Sequence, residues 1–490
     1  MKLNKLGVFA VTFAAILAIA GCTGPDGDNT TITIDASTGA GGGTISLTCP
    51  AWTTPRAIDV ATGKDVCALP TTILEDRDLT NSIIWLMEGR VTVGNGNGEI
   101  AANGMIDGTT PVLNVELSIQ SGTELRGLTG TFANLIITRG SKIFARGTAD
   151  APILMSSSDD DLDGTGEWGG LIIHGYGEQN NCYDNSGSFL TVSAPLTPGV
   201  CNVDAEGESG FAGGFDNGDD SGIIQYLIVA EGGFEFAVGN EINGISFVAV
   251  GSGTTVDHIQ VHNNADDGIE MYGGAVSMSH VVLTSNFDDS IDWDEGWQGN
   301  LQFVLVIQNN NGGNAIEADT TGNAGTFHSL PVLVNVTLIG GTNRDDLAVF
   351  KASSAGLVFN SIFTGLGGAP YTNCALSAAA SEDAGTLKIE NSITNCDTVD
   401  SGGNVELAGN TSVDPGLDAA FAATAGAATL GAPVDLSAFE ATDSLYDNRS
   451  ADLEDDDDFF IVETDYAGAV EPGTVAAEAW YADWTVDGSL

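Results

Sequence analysis

An internal repeat constrains this chain more than any other feature. Val256–Glu270 aligns without gaps on Met278–Asp292, an offset of 22 residues, and a weaker third copy begins at Leu301 and reaches Ile316 and Glu317. A period of roughly 20 to 50 residues marks a solenoid, propeller or array, because each unit buries its apolar face only against its neighbours. Within the period lie two or three short apolar strands broken by Gly, Asn and Asp, with no helical spacing and no Trp-Asp blade signature. That pattern predicts an all-β fold: a right-handed, single-stranded parallel β-helix whose equivalent side chains stack coil upon coil. Ile269 is expected on Ile291, with Ile316 continuing the column. The pattern runs over residues 105–396, on the order of a dozen coils. Residues 46–104 read as an N-terminal cap region and 397–490 as an acidic linker and C-terminal cap, with the run Glu454–Asp458 ahead of an aromatic tail. A carbohydrate-binding module is the rival reading of that tail.

The chain's address is written at its start. Lys2 and Lys5, an apolar run from Leu6 to Ile19 and the small residues before Cys22 resemble a bacterial lipoprotein signal. The resemblance implies a signal peptide over 1–21, lipid on Cys22, and a flexible Gly/Thr/Asp-rich tether over 22–45. Thr23 and Gly24 stand where inner-membrane retention favours Asp, which points to the outer membrane. Six further cysteines fall as local pairs, Cys49 with Cys67, Cys182 with Cys201 and Cys374 with Cys396, separated by 18, 19 and 22 residues. In an oxidising compartment neighbour pairing is the simplest connectivity. Thiol metal sites are disfavoured by the absence of Cys-x-x-Cys and the presence of only five His.

Several segments resemble one family of exported β-helix proteins of environmental Gram-negative bacteria, within the pectate-lyase-like superfamily. They are Leu117–Thr123, Leu135–Ile153, Glu167–Gly175, Gly251–Asn263, Asp292–Gly299 and the closing Asp465–Ala469. The resemblance implies a fold and an exported location. It does not imply an activity, since that scaffold serves lyases, hydrolases, adhesins and inert binders alike.

Charge narrows the function classes. Against 67 Asp and Glu there are 14 Lys and Arg, a net charge of −53, so a phosphate backbone would be repelled and nucleic acid is excluded as a partner. At 42% hydrophobic residues the chain still buries a core. A lyase acting on uronates needs a cationic base or clamp. No Lys or Arg occurs between Arg146 and Arg344, and the next, Lys351, sits near Asp345 and Asp346. Hydrolase elbows, phosphate loops and dinucleotide fingerprints are absent as well.

Two constellations carry chemistry. Asp159, Asp161 and Asp163 alternate before Gly164, with Glu167 downstream, a spacing suited to a hard cation such as Ca2+. The repeat also stacks Asp266 and Asp267 on Asp288 and Asp289, and Glu270 on Asp292, about 4.8 Å apart. Like charges that close must bind a cation, keep a proton or splay into water. Three readings stay open: a solvated or calcium-holding turn ladder, a ligand site with Trp293 and Trp297 as stacking platforms, and a glycosidase using Asp267, Asp289, Asp292 or Glu295. Polygalacturonases share the fold, but their Gly-His-Gly and Arg-Ile-Lys elements are missing. His262 and His280 are read as equivalent repeat positions, acid or base candidates that are more often structural. The function expected is capture of a glycan, metal ion or partner protein by a lipid-anchored surface protein, as accessory to an outer-membrane β-barrel uptake receptor. The alternatives are a glycoside hydrolase and an adhesin or surface-coat component.

Overall fold

A computed structural model describes residues 48–424 and 462–490, except 160, 183–200, 206, 237–240, 321–327, 343–345, 352–353, 367–370, 378–386 and 401–404. Strand dominates, and two sheets of 18 and 11 strands, parallel apart from the antiparallel pairing of Thr54–Pro55 with Ala68 and Cys67, run the length of a parallel β-helix. The ladder extends beyond 105–396 on both sides, from Asp65–Ala68 to Val405–Ala408. Ile269 pairs in register with Ile291, and Ile291 with Ile316. The offset of 22 is therefore one coil.

Alternation along each strand decides what is buried. In the short-strand sheet Ile269, Met271, Ile291, Trp293, Ile316 and Ala318 point inward and join one continuous core. Between them Glu270, Asp292 and Glu317 form an outward column. The long-strand sheet carries Gly222–Ala230, Thr255–His262, Ser277–Thr284, Asn300–Ile307 and Val332–Gly340. Each of these strands holds one non-glycine residue in the left-handed region: Tyr226, His258, His280, Phe303 and Asn335, at φ of 47° to 57°. The register skips these positions, which turns the strand mid-course and aligns their side chains outside. Tyr226, His258, His280 and Phe303 stack as a file of rings with centroids 4.4, 4.3 and 5.0 Å apart. His280 thus stacks on His258 and is not the partner of His262. The latter pairs with Thr284 and bonds its hydroxyl through Nδ1 at 2.7 Å. The correction follows from register, since equivalence requires a full coil between positions.

The C-terminal segment caps the β-helix along a lateral face. Ala469, Val470, Tyr481 and Trp484 pack on Ile228, Val282, Leu305 and Ile339, which point outward from four of the long strands. Side-chain amides anchor this strap by reading its backbone. Gln302 donates to the Val462 carbonyl and accepts from the Val462 N–H, both at 2.8 Å, and Gln260 accepts from the Val486 N–H at 2.7 Å.

A second cover lies on the other sheet, where the hairpin Val203–Ala205 and Gly210–Ala212 packs on Ile136, Ile172 and Val248. Arg139, fully buried, pins it by donating to the carbonyls of Cys201 and Gly213 as well as to those of Gly96 and Gly98. Cys182–Cys201 closes the base of this excursion, and Cys49–Cys67 staples the first coil. The third expected pair, Cys374 and Cys396, falls on strands whose side chains lie outside the described residues. Cys22, the tether and Glu454–Asp458 lie outside them too. No helix among the described residues is long and apolar enough to cross a membrane.

Trp484 is 1% exposed at the centre of the strap contact. Trp484→Ala should destabilise the protein by about 3 to 5 kcal/mol, measured by denaturant unfolding. An unchanged midpoint would show that the strap adds nothing to the fold.

Candidate functional site

The acidic repeat positions converge. Turns preceding the short strands carry Asp266–Asp267 and Asp288–Asp289, and the strands that follow carry Asp292 and Glu317. With Asp346, Gly313, Asn314 and Val349 they line an open cleft of about 550 Å³. Seven carboxylates face this one space. Three overlapping triads have donor oxygens within 4.8 Å of one another: Asp266, Asp267 and Asp288; Asp267, Glu270 and Asp292; and Asp289, Asp292 and Glu317. Opposing them, Lys351 lies 2.7 Å from Glu317 and 4.0 Å from Asp319. Arg344 lies outside the described residues.

Backbone groups hold the ladder's shape. The Asp289 N–H donates to Asp267 Oδ1 at 2.9 Å, the Asn314 N–H donates to Asp289 Oδ1, and Glu270 accepts from Asn243 and the Tyr272 hydroxyl. Gly313 permits this closeness, because a Cβ there would stand 2.4 Å from Asp289 Oδ1 and 2.5 Å from Asp288 Oδ1. Asp292 Oδ1 is buried with no hydrogen-bond partner. Burial, reinforced by neighbouring carboxylates, pushes Asp267 and Asp292 well above the usual range, and burial with Glu317 beside it pushes Asp289 up to about 7. The cleft therefore keeps protons or takes a cation. Its donors are all oxygen, in a multi-carboxylate array, which suits a hard ion such as Ca2+ better than a thiophilic or imidazole-seeking one.

Other expected site residues fall elsewhere. Trp293 and Trp297 are fully buried, so they are core side chains and not stacking platforms. Trp293 sits at an inward position of its strand, and their indole N–H groups donate to Ser354 Oγ and the Val276 carbonyl. Glu295, at the far end of the short strand, is clamped by Gln179 and Asn181 amides at 2.6 Å each and pushed up to about 8 by burial. It faces the 180–182 turn and lies outside the cleft.

In the Asp159 loop, Asp159 and Asp161 converge with Glu231, a residue the spacing did not suggest. Glu231 is fully buried at φ 65°, accepts from the backbone N–H of Gly164 and Ser157, and is pushed up to about 7 by burial. Burial with Asp159 and Asp161 nearby raises Glu167 also, while Asp163 is exposed. Glu231 was legible in principle. Because Ala230 pairs with His262, and His262 with Thr284, it occupies the place of Asn263 and Ser285, an acidic intruder in a polar column.

A family model described as a pectate-lyase like β-helix domain matches residues 103–433. Neither the curated proteins nor the solved structures yield a match.

The raised carboxyl of Asp289 has a thermodynamic consequence. Its proton favours the folded state, so that contribution is complete below about pH 4 and lost as pH rises through about 7. In a chelating buffer thermal stability should fall between about pH 4 and 7, and Asp289→Asn should flatten the fall. A wild-type midpoint that climbs across this window would contradict the assignment.

Proposed function

Because the chain belongs to the pectate-lyase-like β-helix domain family, a scaffold whose outward side chains define its sites, we propose that it captures a ligand through a divalent cation held in the acidic cleft. The observation that carries this reading is the cleft itself, seven carboxylates against one lysine. Such a surface repels anions and cannot stay fully ionised without a counterion. A calcium ion bridging two of the triads would neutralise them and leave positions open to outside oxygens. Hydroxyl or carboxylate groups of a glycan supply such oxygens. The lipoprotein-type signal before Cys22 supports an outer-membrane anchor; in this reading the site is displayed on the outer face, where the acidic body resists self-association and can serve a β-barrel uptake receptor.

Calorimetric titration of the mature protein with Ca2+ should show saturable binding with a dissociation constant of about 10⁻⁴ to 10⁻³ M, the range of extracellular modules. Asp267→Asn combined with Asp292→Asn should abolish it, and heat no greater than dilution in the wild type would sink the proposal. Display on the outer face predicts that protease added to intact cells removes the protein, and affinity capture from native outer membranes should bring down a β-barrel receptor in equal amount. Survival under protease would remove the surface assignment, and capture of the β-helix alone would remove the accessory role.

A second reading has one specific support. Asp289 and Asp292, both held above the usual carboxylate range, bring oxygens within 4.8 Å of one another, so one of the pair can keep a proton as an acid while the other serves as the carboxylate that glycoside hydrolysis needs. Turnover on a glycan panel that disappears in Asp289→Asn would favour it, whereas turnover unchanged by that substitution would exclude this residue as the acid.

A further inference from the structure

We infer that Asp257, His258 and His280 form a second metal site, chemically distinct from the acidic cleft, for a borderline transition ion such as Zn2+, Ni2+ or Cu2+. The three lie on two adjacent long strands. His258 and His280 occupy the same skipped position one coil apart, both at φ 55°, so their rings leave the sheet in the same direction and stack at 4.3 Å. Each presents the same nitrogen to the same carboxylate. His258 Nδ1 lies 2.8 Å from Asp257 Oδ2, and His280 Nδ1 lies 2.8 Å from Asp257 Oδ1. The donor atoms of all three residues fall within 4.8 Å of one another.

This donor set differs in kind from the cleft. Two imidazoles and one carboxylate are the ligands that zinc, nickel and copper prefer, whereas calcium selects oxygen alone. The space an ion would take is now spanned by the two Nδ1···Asp257 contacts, so binding through Nδ1 requires each imidazole to carry its proton on Nε2. An ion about 2.0 to 2.2 Å from each donor requires the rings to tilt out of their near-parallel stack, 15° apart, so that both lone pairs converge. The side chains are 14%, 26% and 26% exposed for His258, His280 and Asp257, open enough for an ion to enter and for water to complete its shell. Ser279 Oγ, 3.1 Å from His280 Nδ1, is a further oxygen beside the site. His262 takes no part, being turned to Thr284.

The strap supplies a reporter. The Trp480 ring centroid lies 5.2 Å from that of His280, and the Trp484 centroid 5.8 Å from that of His258. The mature protein, saturated with Ca2+ so that the cleft is filled, would be titrated with Ni2+ while tryptophan fluorescence is followed. Expected is saturable quenching with single-site stoichiometry, weakened at least about tenfold by His258→Gln and by His280→Gln. Electron paramagnetic resonance of the wild-type Cu2+ complex needs no variant and should show two coordinated nitrogens. Quenching that never saturates, quenching unaltered in the His258→Gln/His280→Gln chain, or a copper spectrum with fewer than two nitrogens would overturn the site.

Discussion

In-register parallel stacking is the constraint on which everything else here depends. Each strand pairs with its equivalent one coil away, so any property repeated in the sequence becomes a column in space. The isoleucines at 269, 291 and 316 become a core spine. Four ring-bearing residues become a file outside the long-strand sheet. The carboxylates at 270, 292 and 317 become a row of like charges. The first column stabilises the fold through apolar burial. The last opposes it, and the fold holds that opposition in place.

Holding carboxylates together has a cost that protons or cations must offset. The backbone N–H groups of Asp289 and Asn314 meet one oxygen each, and Gly313 lets the chain pass close enough for this. These contacts leave most of the charge unanswered, since Lys351 is already engaged by Glu317 and Asp319. Glu231 repeats the theme in miniature, buried beneath Asp159 and Asp161. Sites on this β-helix thus arise where a buried register position carries a group that prefers water, and the chemistry follows from which group it is: oxygen donors in the cleft, imidazoles on the opposite sheet.

The lateral covers show how a solenoid with two apolar faces is finished. Outward positions of the long strands are aliphatic at Ile228, Val282, Leu305 and Ile339, and the strap brings Trp484 and Tyr481 to them. Outward positions of the short-strand sheet are aliphatic at Ile136, Ile172 and Val248, and the hairpin tied by Arg139 lies there. Near Asp292 and Glu317, where no described residue forms such a cover, the same sheet is acidic and open. Bare and covered stretches of one surface therefore differ by side chain, and the bare one is the cleft.

By itself the sequence determined the periodic part of this protein. The gapless offset of 22 predicts the coil, the isoleucine column and the juxtaposition of Asp266 and Asp267 with Asp288 and Asp289, because strand spacing converts repetition into proximity without further information. The local cysteine spacings likewise anticipate Cys49–Cys67 and Cys182–Cys201. What only tertiary structure decided is everything set by facing and by contacts across distant segments. Trp293 and Trp297 read as exposed aromatics until strand alternation and the turn after it put them inside. His280 found His258 because a single left-handed non-glycine residue per long strand throws both rings outward. Glu231 joined Asp159 from the end of a separate strand, and the tail lies along the sheet where the side-chain amides of Gln260 and Gln302 read its backbone. Such pairings follow from three-dimensional register and shape, which no spacing within one segment encodes.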